Sequence, residues 1–155
     1  MQQKLNAALP HKQMPIADML CFALYSATHA MQAVYKPLLD GLGLTYPQYL
    51  VLVTLWGKDN QTVGQLGAAL HLESNTLTPL LKRMESAGHL SRHRNADDER
   101  QVQIRLTDQG RALQPKTQHI PACVLEQSGL SLAAIMALQS QITTLRDQLR
   151  PVQGA

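Results

Sequence analysis

The stretch 62–106 constrains the fold of this chain more than any other, because it predicts two short helices joined by a tight turn. In TVGQLGAAL, Thr62 and Gln65 have the spacing of a capping box at a helix start. That helix has an apolar face formed by Val63, Leu66, Gly67 and Leu70. After a turn at 71–73, SNTLTPLLKRMESAG predicts a second helix, whose apolar face is Leu77, Leu80, Leu81 and Met84. Two helices in this order form a helix-turn-helix pattern.

A polar hairpin is predicted directly after the second helix, which ends at Gly88. Apolar residues at 102, 104 and 106 alternate with polar ones, which is typical of a half-buried strand. Residues 90–93 are its predicted partner strand, and the polar residues 94–99 are the predicted hairpin tip. A charged hairpin that follows a helix-turn-helix is a wing. The predicted fold class is therefore mainly α with a small β-wing.

The second helix contains one residue that opposes helix formation. Pro79 lacks a backbone N–H, and it biases Thr78 away from helical angles. A helix tolerates this proline if it starts near Asn75, where the first N–H groups are unpaired in any case. We therefore expect the helix to begin close to that residue.

The polar face of the second helix and the wing are predicted to contact DNA. The helix residues expected in the major groove are Ser74, Asn75, Thr76, Thr78, Lys82 and Arg83. Arg94 and Arg100 on the wing suit a minor groove, whose negative potential attracts arginine. Arg100 has an alternative role, an ion pair with Asp97 or Asp98 that holds the shape of the wing. The competing interpretation is a solvated helix and hairpin with no nucleic-acid partner.

Long helices are predicted on both sides of this unit. The first runs over about 15–40 with a stripe of Leu20, Leu24, Ala27, Met31, Val34 and Leu38. The segment 108–150 predicts a helix interrupted by Pro115 and Pro121, and then a helix with a second stripe. That stripe is Ile135, Leu138, Ile142, Leu145 and Leu149. Between the unit and the first helix, a capping box at Thr45 opens a helix with a core face of Tyr49, Leu52, Val53 and Trp56.

Narrow stripes of this kind pack on other helices. The segments 15–40 and 108–150 are therefore predicted to be dimerisation helices, and the winged helix-turn-helix is placed at about 45–106. All of them belong to one domain spanning 1–155, since the chain has the length of a single domain. A symmetric homodimer also suits a palindromic operator on double-stranded DNA.

Composition limits the class of protein. No apolar run approaches the roughly 18–20 residues of a membrane span, and the N-terminus lacks the layout of a signal peptide. We therefore expect a cytoplasmic protein without a membrane partner. Its two cysteines, Cys21 and Cys123, are expected as free thiols in that compartment. No cofactor or metal is expected, and a Cys/His metal site is a weak alternative. The net charge of +3 is compatible with an anionic partner.

The winged helix resembles the MarR family of bacterial repressors. The resemblance rests on TLTPLLKRMESAGHLSR, the acidic wing tip DDER (97–100) and LTDQG (106–110). Within that family, Cys21 followed by FALY, YKPLLD (35–40) and TYPQYL (45–50) resemble the organic hydroperoxide resistance regulators. This resemblance covers roughly residues 18–126. It implies a repressor that leaves its operator when an organic hydroperoxide oxidises the N-terminal cysteine.

The resemblance also implies that Cys21 is the oxidised residue and that Tyr25, Tyr35 and Tyr46 surround it. Hydrogen bonds from tyrosine hydroxyls stabilise a thiolate, which is the nucleophile. Tyr35 lies 14 residues after Cys21, about 21 Å along a straight helix, so it reaches only Cys21 of a partner subunit. With a helix start near 15, Cys21 lies too deep for a strong dipole effect. The competing interpretation is a buried apolar cysteine and ordinary aromatic packing.

Cys123, in HIPACVLEQ, resembles the second cysteine that some of these regulators carry in the helix after the wing. A sulfenic acid on Cys21 condenses with a nearby thiol, which protects it from over-oxidation. By that resemblance, Cys123 of the partner subunit is the expected resolving thiol. The alternatives are a small thiol in that role and Cys123 as a buried filler.

Two other functions remain open. One is a MarR-type regulator that reversibly binds a phenolic or aromatic ligand, with Cys21 merely buried. The other is a thiol peroxidase that turns over hydroperoxide. The sequence places no acid or arginine next to Cys21, so we expect a regulator and not an enzyme.

Overall fold

A computed structural model describes residues 14–94 and 101–149 of the chain. Its helices are α1 (Leu20–Asp40), α2 (Tyr46–Gly57), α3 (Val63–Leu70), α4 (Ser74–Ser86), α5 (Asp108–Ala112), α6 (Gln114–Thr117), α7 (Ile120–Ser128) and α8 (Leu132–Leu149). Its strands are β1 (Gln61–Thr62), β2 (Leu90–Arg94) and β3 (Val102–Leu106). The mainly helical chain with a small sheet confirms the predicted fold class.

The three strands form an antiparallel sheet in the order β1-β3-β2. β2 and β3 form the predicted wing, and Arg94 pairs with Val102 at its described end. Arg94 therefore belongs to the strand and not to the hairpin tip, which was its predicted place. The rest of the predicted tip, 95–99, and Arg100 lie outside the described residues. β1 pairs Gln61 with Ile104. The sequence did not predict β1, because two residues are too few to show an alternation.

The core lies between the helix-turn-helix, the wing and the segment that follows it. The apolar faces predicted for α3 and α4 are confirmed by fully buried side chains at Leu66, Leu77, Leu81 and Met84. The face predicted for α2 is partly wrong, because Val53 is 43% exposed while Val51 and Leu55 are buried. α2 is apolar on nearly all sides (YPQYLVLVTLWG), so periodicity could not determine which side faces the core.

The two capping boxes that the sequence predicted, at the starts of α2 and α3, are confirmed. At α3, the Gln65 N–H donates to Thr62 Oγ1 (3.1 Å), and the Thr62 N–H donates to Gln65 Oε1 (2.8 Å). These two bonds complete the capping box. At α2, the Thr45 N–H donates to Gln48 Oε1 over 2.9 Å. The turn between α3 and α4 uses His71 in the left-handed conformation, at a φ of 57°.

α4 is a helix despite its internal proline. It begins at Ser74, next to the predicted start at Asn75, so Pro79 is its sixth residue. This position lies beyond the unpaired first turn, so the absent N–H removes one helical bond to the Asn75 carbonyl. The helix nevertheless continues to Ser86. Burial of its apolar face outweighs that missing bond.

α1 begins at Leu20, later than the start near residue 15 that the sequence predicted. Ile16–Asp18 forms a 3-10 turn instead, and Met19 has an extended backbone (ψ 120°) that interrupts the helix. The boundary predicted for the N-terminal dimerisation helix is corrected accordingly. Pro37 does not end α1, which continues to Asp40.

The helix predicted after the wing is broken into the short helices α5, α6 and α7. Pro115 and Pro121 lie in the first turns of α6 and α7, where a missing N–H removes no helical bond. The last helix begins as predicted after Ser131, whose hydroxyl accepts a hydrogen bond from the Ala134 N–H (3.2 Å).

Across the described ranges, no single helix has both the length and the apolar character needed to cross a membrane. The segment Asp108–Ser128 and helix Leu132–Leu149 meet that criterion only as a pair bent by 94°, on length and composition alone.

Candidate functional site

The outer face of α4 presents polar and basic side chains. Five of the six residues predicted for the major groove are exposed: Ser74, Asn75, Thr76, Lys82 and Arg83. The sixth, Thr78, is half-buried. Thr76 Oγ1 donates to Asn75 Oδ1 over 3.3 Å, so these two side chains are already paired near the N-terminal end of the helix. The face is chemically suited to hydrogen bonding with base edges and to neutralising phosphates.

The wing is attached to α4 by a charged contact. Glu85 Oε1 accepts a hydrogen bond from the Arg92 N–H (3.1 Å), and its other oxygen lies 3.7 Å from the Arg92 guanidinium. Farther along β2, His93 and Arg94 are exposed, and His93 Nε2 lies 2.9 Å from Ser91 Oγ. Arg94 is therefore an exposed basic residue at the described end of the wing strand β2.

The junction between α4 and the wing is tightly packed. Gly88 has a φ of +78°, which glycine adopts readily, and His89 follows it in a buried position. Thr107 Oγ1 donates to the Gly88 carbonyl (2.6 Å), and the Thr107 N–H donates to the His89 carbonyl (3.2 Å). Gly110 lies directly against that carbonyl, so that an added Cβ would overlap it. There is therefore no free space between this junction and α5.

His89 is buried among these contacts without full hydrogen bonding. Within the described ranges, its Nδ1 has no hydrogen-bond partner. Burial lowers the pKa of His89, so the neutral imidazole is favoured in the folded protein. The stability that comes from this neutral form is present above the ordinary pKa of 6.5 and is lost as the pH falls through the lower folded value.

Cys21 is exposed and is the second residue of α1. The sequence placed it about six residues into the helix, and this is corrected by the later helix start. Its backbone therefore lies in the first turn, where N–H groups are unpaired and the helix dipole is positive. No tyrosine hydroxyl of the same chain hydrogen-bonds to its sulfur among the residues described. Tyr25 instead packs on His29 (centroids 4.2 Å) and on Phe22 (6.5 Å).

Tyr35 and Tyr46 meet at the opposite end of α1 from Cys21. Their ring centroids are 4.7 Å apart, and Tyr49 joins them at 6.0 Å from Tyr35. Burial raises the pKa of all three, and their mutual proximity raises the pKa of Tyr35 and Tyr49 further. The hydroxyls are therefore protonated at neutral pH and can donate hydrogen bonds. We call these three residues the tyrosine cluster. The sequence treated Tyr49 only as a core residue.

Cys123 is partly buried in α7, and α7 packs against α1. No disulfide joins Cys21 and Cys123 within one chain. Cys21 lies in the first turn of α1, whereas the residues of α1 that reach the core, such as Leu39, are at its other end.

Two contacts that the sequence did not predict tie α2 to the segment after the wing. Trp56 Nε1 donates to the Gly110 carbonyl (3.0 Å). Asp59 accepts hydrogen bonds from the Leu106 N–H (2.9 Å) and the Arg111 guanidinium (2.6 Å). Burial raises the pKa of Asp59, but these bonds and that of the Asn60 N–H lower it more, to a value below 3.8. The partners are about 50 residues apart in sequence, so no local pattern could have revealed them.

A groove of about 390 Å³ lies between the second half of α1 and the start of α2. Gln32, Leu44 and Tyr46 are among the residues that line it, and Lys36 pairs with Asp40 at 2.7 Å on its wall. Over the described part of the chain, no three His, Cys, Asp or Glu side chains are grouped closely enough to hold a metal ion.

Comparison with known proteins places this arrangement in a family. Residues 33–116 match the family of the transcriptional regulators SarA and Rot. The regulator TtmR of Methylorubrum extorquens is 46% identical over 136 residues, which cover 88% of this chain and 70% of TtmR. The organic hydroperoxide resistance transcriptional regulator of Bacillus subtilis is 45% identical over 136 residues, which cover 88% of this chain and 92% of that protein.

The fold agrees with that of a solved regulator. The structure of reduced AbfR bound to DNA matches with a TM-score of 0.71 and 35% identity, over 88% of this chain and 96% of AbfR. AbfR comes from Staphylococcus epidermidis. The family match spans more than half of the chain, and two relatives of nearly half-identical sequence align with most of it. The chain therefore belongs to the SarA/Rot family of MarR-like winged-helix transcriptional regulators, which are not enzymes.

Proposed function

We propose that this chain is a homodimeric repressor that binds operator DNA and leaves it when an organic hydroperoxide oxidises Cys21. The observation that carries the proposal is the exposed thiol of Cys21 in the first turn of α1, outside the packed core. An organic hydroperoxide resistance regulator is among the relatives. AbfR has been solved in reduced and overoxidised states bound to DNA and in a disulfide-formed state. These relatives support redox-controlled DNA binding.

DNA contact is assigned to the exposed face of α4 and to the wing. Asn75, Thr76 and Thr78 have donors and acceptors that suit base edges in the major groove. Lys82 and Arg83, one to two turns farther along, suit phosphates. Arg94 on β2 extends the surface toward the adjacent minor groove, and Arg100 lies outside the described residues. Ser74 at the helix start offers its N–H to a phosphate.

The sensing step is a two-electron oxidation of sulfur. The Cys21 thiolate attacks the distal oxygen of the hydroperoxide, so that an S–O bond forms as the O–O bond breaks. The alkoxide leaves and takes up a proton to become an alcohol. The sulfur is oxidised to a sulfenic acid, and the peroxide is reduced. The thiolate of Cys123 then attacks that sulfur, so that an S–S bond forms as the S–O bond breaks, and the leaving hydroxide takes up a proton to become water.

The tyrosines act across the dimer. In one chain, Tyr35 lies about 21 Å from Cys21 along a straight helix, and Tyr46 packs against Tyr35 at that far end of α1. In an antiparallel pair of α1 helices they approach Cys21 of the partner subunit, and Tyr25 lies beside Cys21 in its own subunit. Tyr35→Phe is expected to keep the fold and DNA affinity while it slows oxidation, as measured by thiol loss under limiting hydroperoxide. An unchanged rate would remove Tyr35 from the mechanism.

The proposed disulfide joins Cys21 to Cys123 of the partner subunit. Its formation requires the Cα atoms to approach within about 7 Å. Because α7 packs on α1 and follows the wing, closing this bond would draw the dimerisation helices together and shift the two α4 helices relative to the operator. Non-reducing electrophoresis after one equivalent of hydroperoxide should show a covalent dimer. Cys123→Ser should abolish that dimer while Cys21 still oxidises.

The central experiment measures DNA affinity before and after treatment with cumene hydroperoxide. Wild-type protein is expected to lose affinity, and dithiothreitol is expected to restore it. Cys21→Ser should bind DNA with unchanged affinity and should not respond to the peroxide. Release of the Cys21→Ser protein by peroxide would overturn the proposal.

The groove between α1 and α2 favours a second candidate function, reversible binding of a phenolic or aromatic ligand. Its volume of about 390 Å³ lies within the range of small-molecule sites, and Tyr46 and Lys36 supply an aromatic face and a cation. Release of Cys21→Ser protein from DNA by such a ligand, without peroxide, would favour this alternative over oxidation.

A further inference from the structure

We propose that Trp56 is the positioning residue through which the tyrosine cluster controls the junction between α4 and the wing. The inference rests on the proposed function, because it concerns how oxidation at Cys21 reaches the DNA-binding face. It is carried by an unbroken series of contacts in which Trp56 is the central member.

The first half of the series consists of aromatic rings. Tyr46 contacts Tyr35 with ring centroids 4.7 Å apart, and Tyr35 contacts Tyr49 at 6.0 Å. Tyr49 then meets the Trp56 ring edge-on at 6.3 Å, with the planes inclined by 67°. Tyr49 and Trp56 are seven residues apart on α2, so two helical turns separate the tyrosine cluster from the indole.

The second half consists of backbone contacts. Trp56 Nε1 donates to the Gly110 carbonyl over 3.0 Å. The Gly110 N–H donates to Thr107 Oγ1 (3.0 Å), which in turn donates to the Gly88 carbonyl (2.6 Å). Gly110 also lies so close to the His89 carbonyl that even a methyl group would not fit. Gly88 and His89 are two of the three residues that connect the end of α4 to β2.

The indole is suited to this position because it is rigid at one end and polar at the other. Its ring packs against Tyr49, and its N–H fixes the Gly110 carbonyl. Closely packed interiors transmit small displacements instead of absorbing them. A shift of the tyrosine cluster would therefore move the indole, then Gly110, and then the segment that sets the angle between α4 and the wing.

The hydrogen bonds of Asp59 join the end of α2 to the segment after the wing, as the Trp56 bond does, and they provide a matched control. Asp59, three residues after Trp56, accepts hydrogen bonds from the Asn60 N–H, the Leu106 N–H and Arg111, none of which belongs to the tyrosine cluster. Weakening these bonds loosens the attachment of α2 to α5 without touching the aromatic series. Asp59→Asn therefore tests the effect of a looser attachment between α2 and α5. Trp56→Phe tests, in addition, the loss of the contact that links the tyrosine cluster to the junction between α4 and the wing.

The test compares three quantities for wild type, Trp56→Phe and Asp59→Asn. These are the rate of Cys21 oxidation by cumene hydroperoxide and the DNA dissociation constants of the reduced and oxidised proteins. For Trp56→Phe, we expect an unchanged oxidation rate and a ratio of oxidised to reduced dissociation constants about tenfold smaller than in wild type. Asp59→Asn should keep the wild-type ratio, even if both of its dissociation constants rise together.

Three results are decisive. A wild-type ratio in Trp56→Phe would overturn the inference and leave the proposed function intact. An equal fall of the ratio in Asp59→Asn would also overturn it, because transmission would then be spread over the whole interface. If wild-type protein itself keeps its DNA affinity after oxidation, the proposed function fails.

A second replacement covers the case in which Trp56→Phe does not fold. Trp56 is the only tryptophan of the chain, so it can be replaced during expression by β-(3-benzothienyl)alanine. That residue keeps the size of the indole and has sulfur in place of the N–H. The ratio of the oxidised to the reduced DNA dissociation constant is again expected to be about tenfold smaller than in wild type. A ratio equal to that of wild type would show that the hydrogen bond to Gly110 does not carry the signal.

Discussion

Gly110 packs against a backbone carbonyl, so its place in the fold depends on having no side chain. A Cβ built on Gly110 would overlap the His89 carbonyl and would also press on Leu106. The neighbour is backbone, which cannot rotate away as the end of a flexible side chain can. This glycine allows α5 to approach the end of α4 closely enough for Thr107 to bond to the same segment.

We predict that Gly110→Ala lowers the free energy of unfolding by about 1–3 kcal/mol, the usual effect of overpacking a tight site. Gly57→Ala is the matched control, since no atom lies within 4 Å of a Cβ at that position. The control should be neutral or slightly stabilising, because alanine reduces the entropy of the unfolded chain. Urea denaturation of the two variants checks this. Equal stability of both would contradict the close contact.

Asp59 makes the stability of the fold depend on pH. Its folded pKa is below 3.8, so ionised Asp59 stabilises the fold. This contribution is complete above the ordinary pKa and is lost as the pH falls through the lower folded value. The difference in free energy of unfolding between wild type and Asp59→Asn should therefore be largest near neutral pH and should shrink below about pH 4. A difference independent of pH would show that ionised Asp59 is not the stabilising form.

Among the elements, α4 illustrates how packing overrides a local preference. Pro79 weakens the helix at its sixth residue, yet the buried apolar face holds the segment in helical form. The exposed polar face is consequently presented in a fixed order along the helix. Small polar residues come first, and Lys82 and Arg83 follow about one turn later.

The basic end of α4 leads to a prediction about DNA affinity. Lys82→Ala should weaken binding to all DNA sequences and should flatten the dependence of log affinity on log salt by about one unit. Lys116→Ala on α6 is the control, because it removes an exposed lysine outside the proposed DNA-binding face. Titrations at several salt concentrations measure both slopes. Identical slopes for Lys82→Ala and wild type would show that α4 does not meet phosphate at this residue.

At the scale of the whole molecule, the two terminal helices leave apolar side chains exposed. On α1, Leu20 is 59% exposed, and on α8 Leu138 is 48% exposed and no residue is buried. Both belong to the stripes that the sequence predicted for dimerisation. Single chains rarely expose such stripes, which supports their burial against a second copy.

We predict that Leu138→Glu weakens the dimer. Loss of a buried leucine costs about 1.5–3 kcal/mol, and a two-fold axis applies the change twice, so the dissociation constant should rise at least roughly hundredfold. Ser140→Glu, on the opposite face of α8, should leave it unchanged. Sedimentation velocity measures both. If Leu138→Glu remains as dimeric as wild type, α8 does not use this stripe for assembly.

The sequence by itself determined the elements whose signals are local. The capping boxes at α2 and α3, the alternation in β3 and the apolar face of α4 each involve neighbours within a few residues, and the structure confirms them. These signals act through backbone hydrogen bonds and through side chains of the same element. They can therefore be recognised in the sequence before the tertiary contacts are known, although packing between elements is still needed to stabilise the helices.

Only the tertiary structure decided which face of α2 is buried, where α1 starts and which contacts connect the tyrosine cluster to the junction between α4 and the wing. α2 is apolar on nearly all sides, so its orientation depends on the elements that pack around it. The Trp56–Gly110 bond joins residues 54 apart, and the Asp59–Arg111 pair joins residues 52 apart. Such contacts arise when the whole chain packs, because their free energy depends on distances that neighbouring residues do not set.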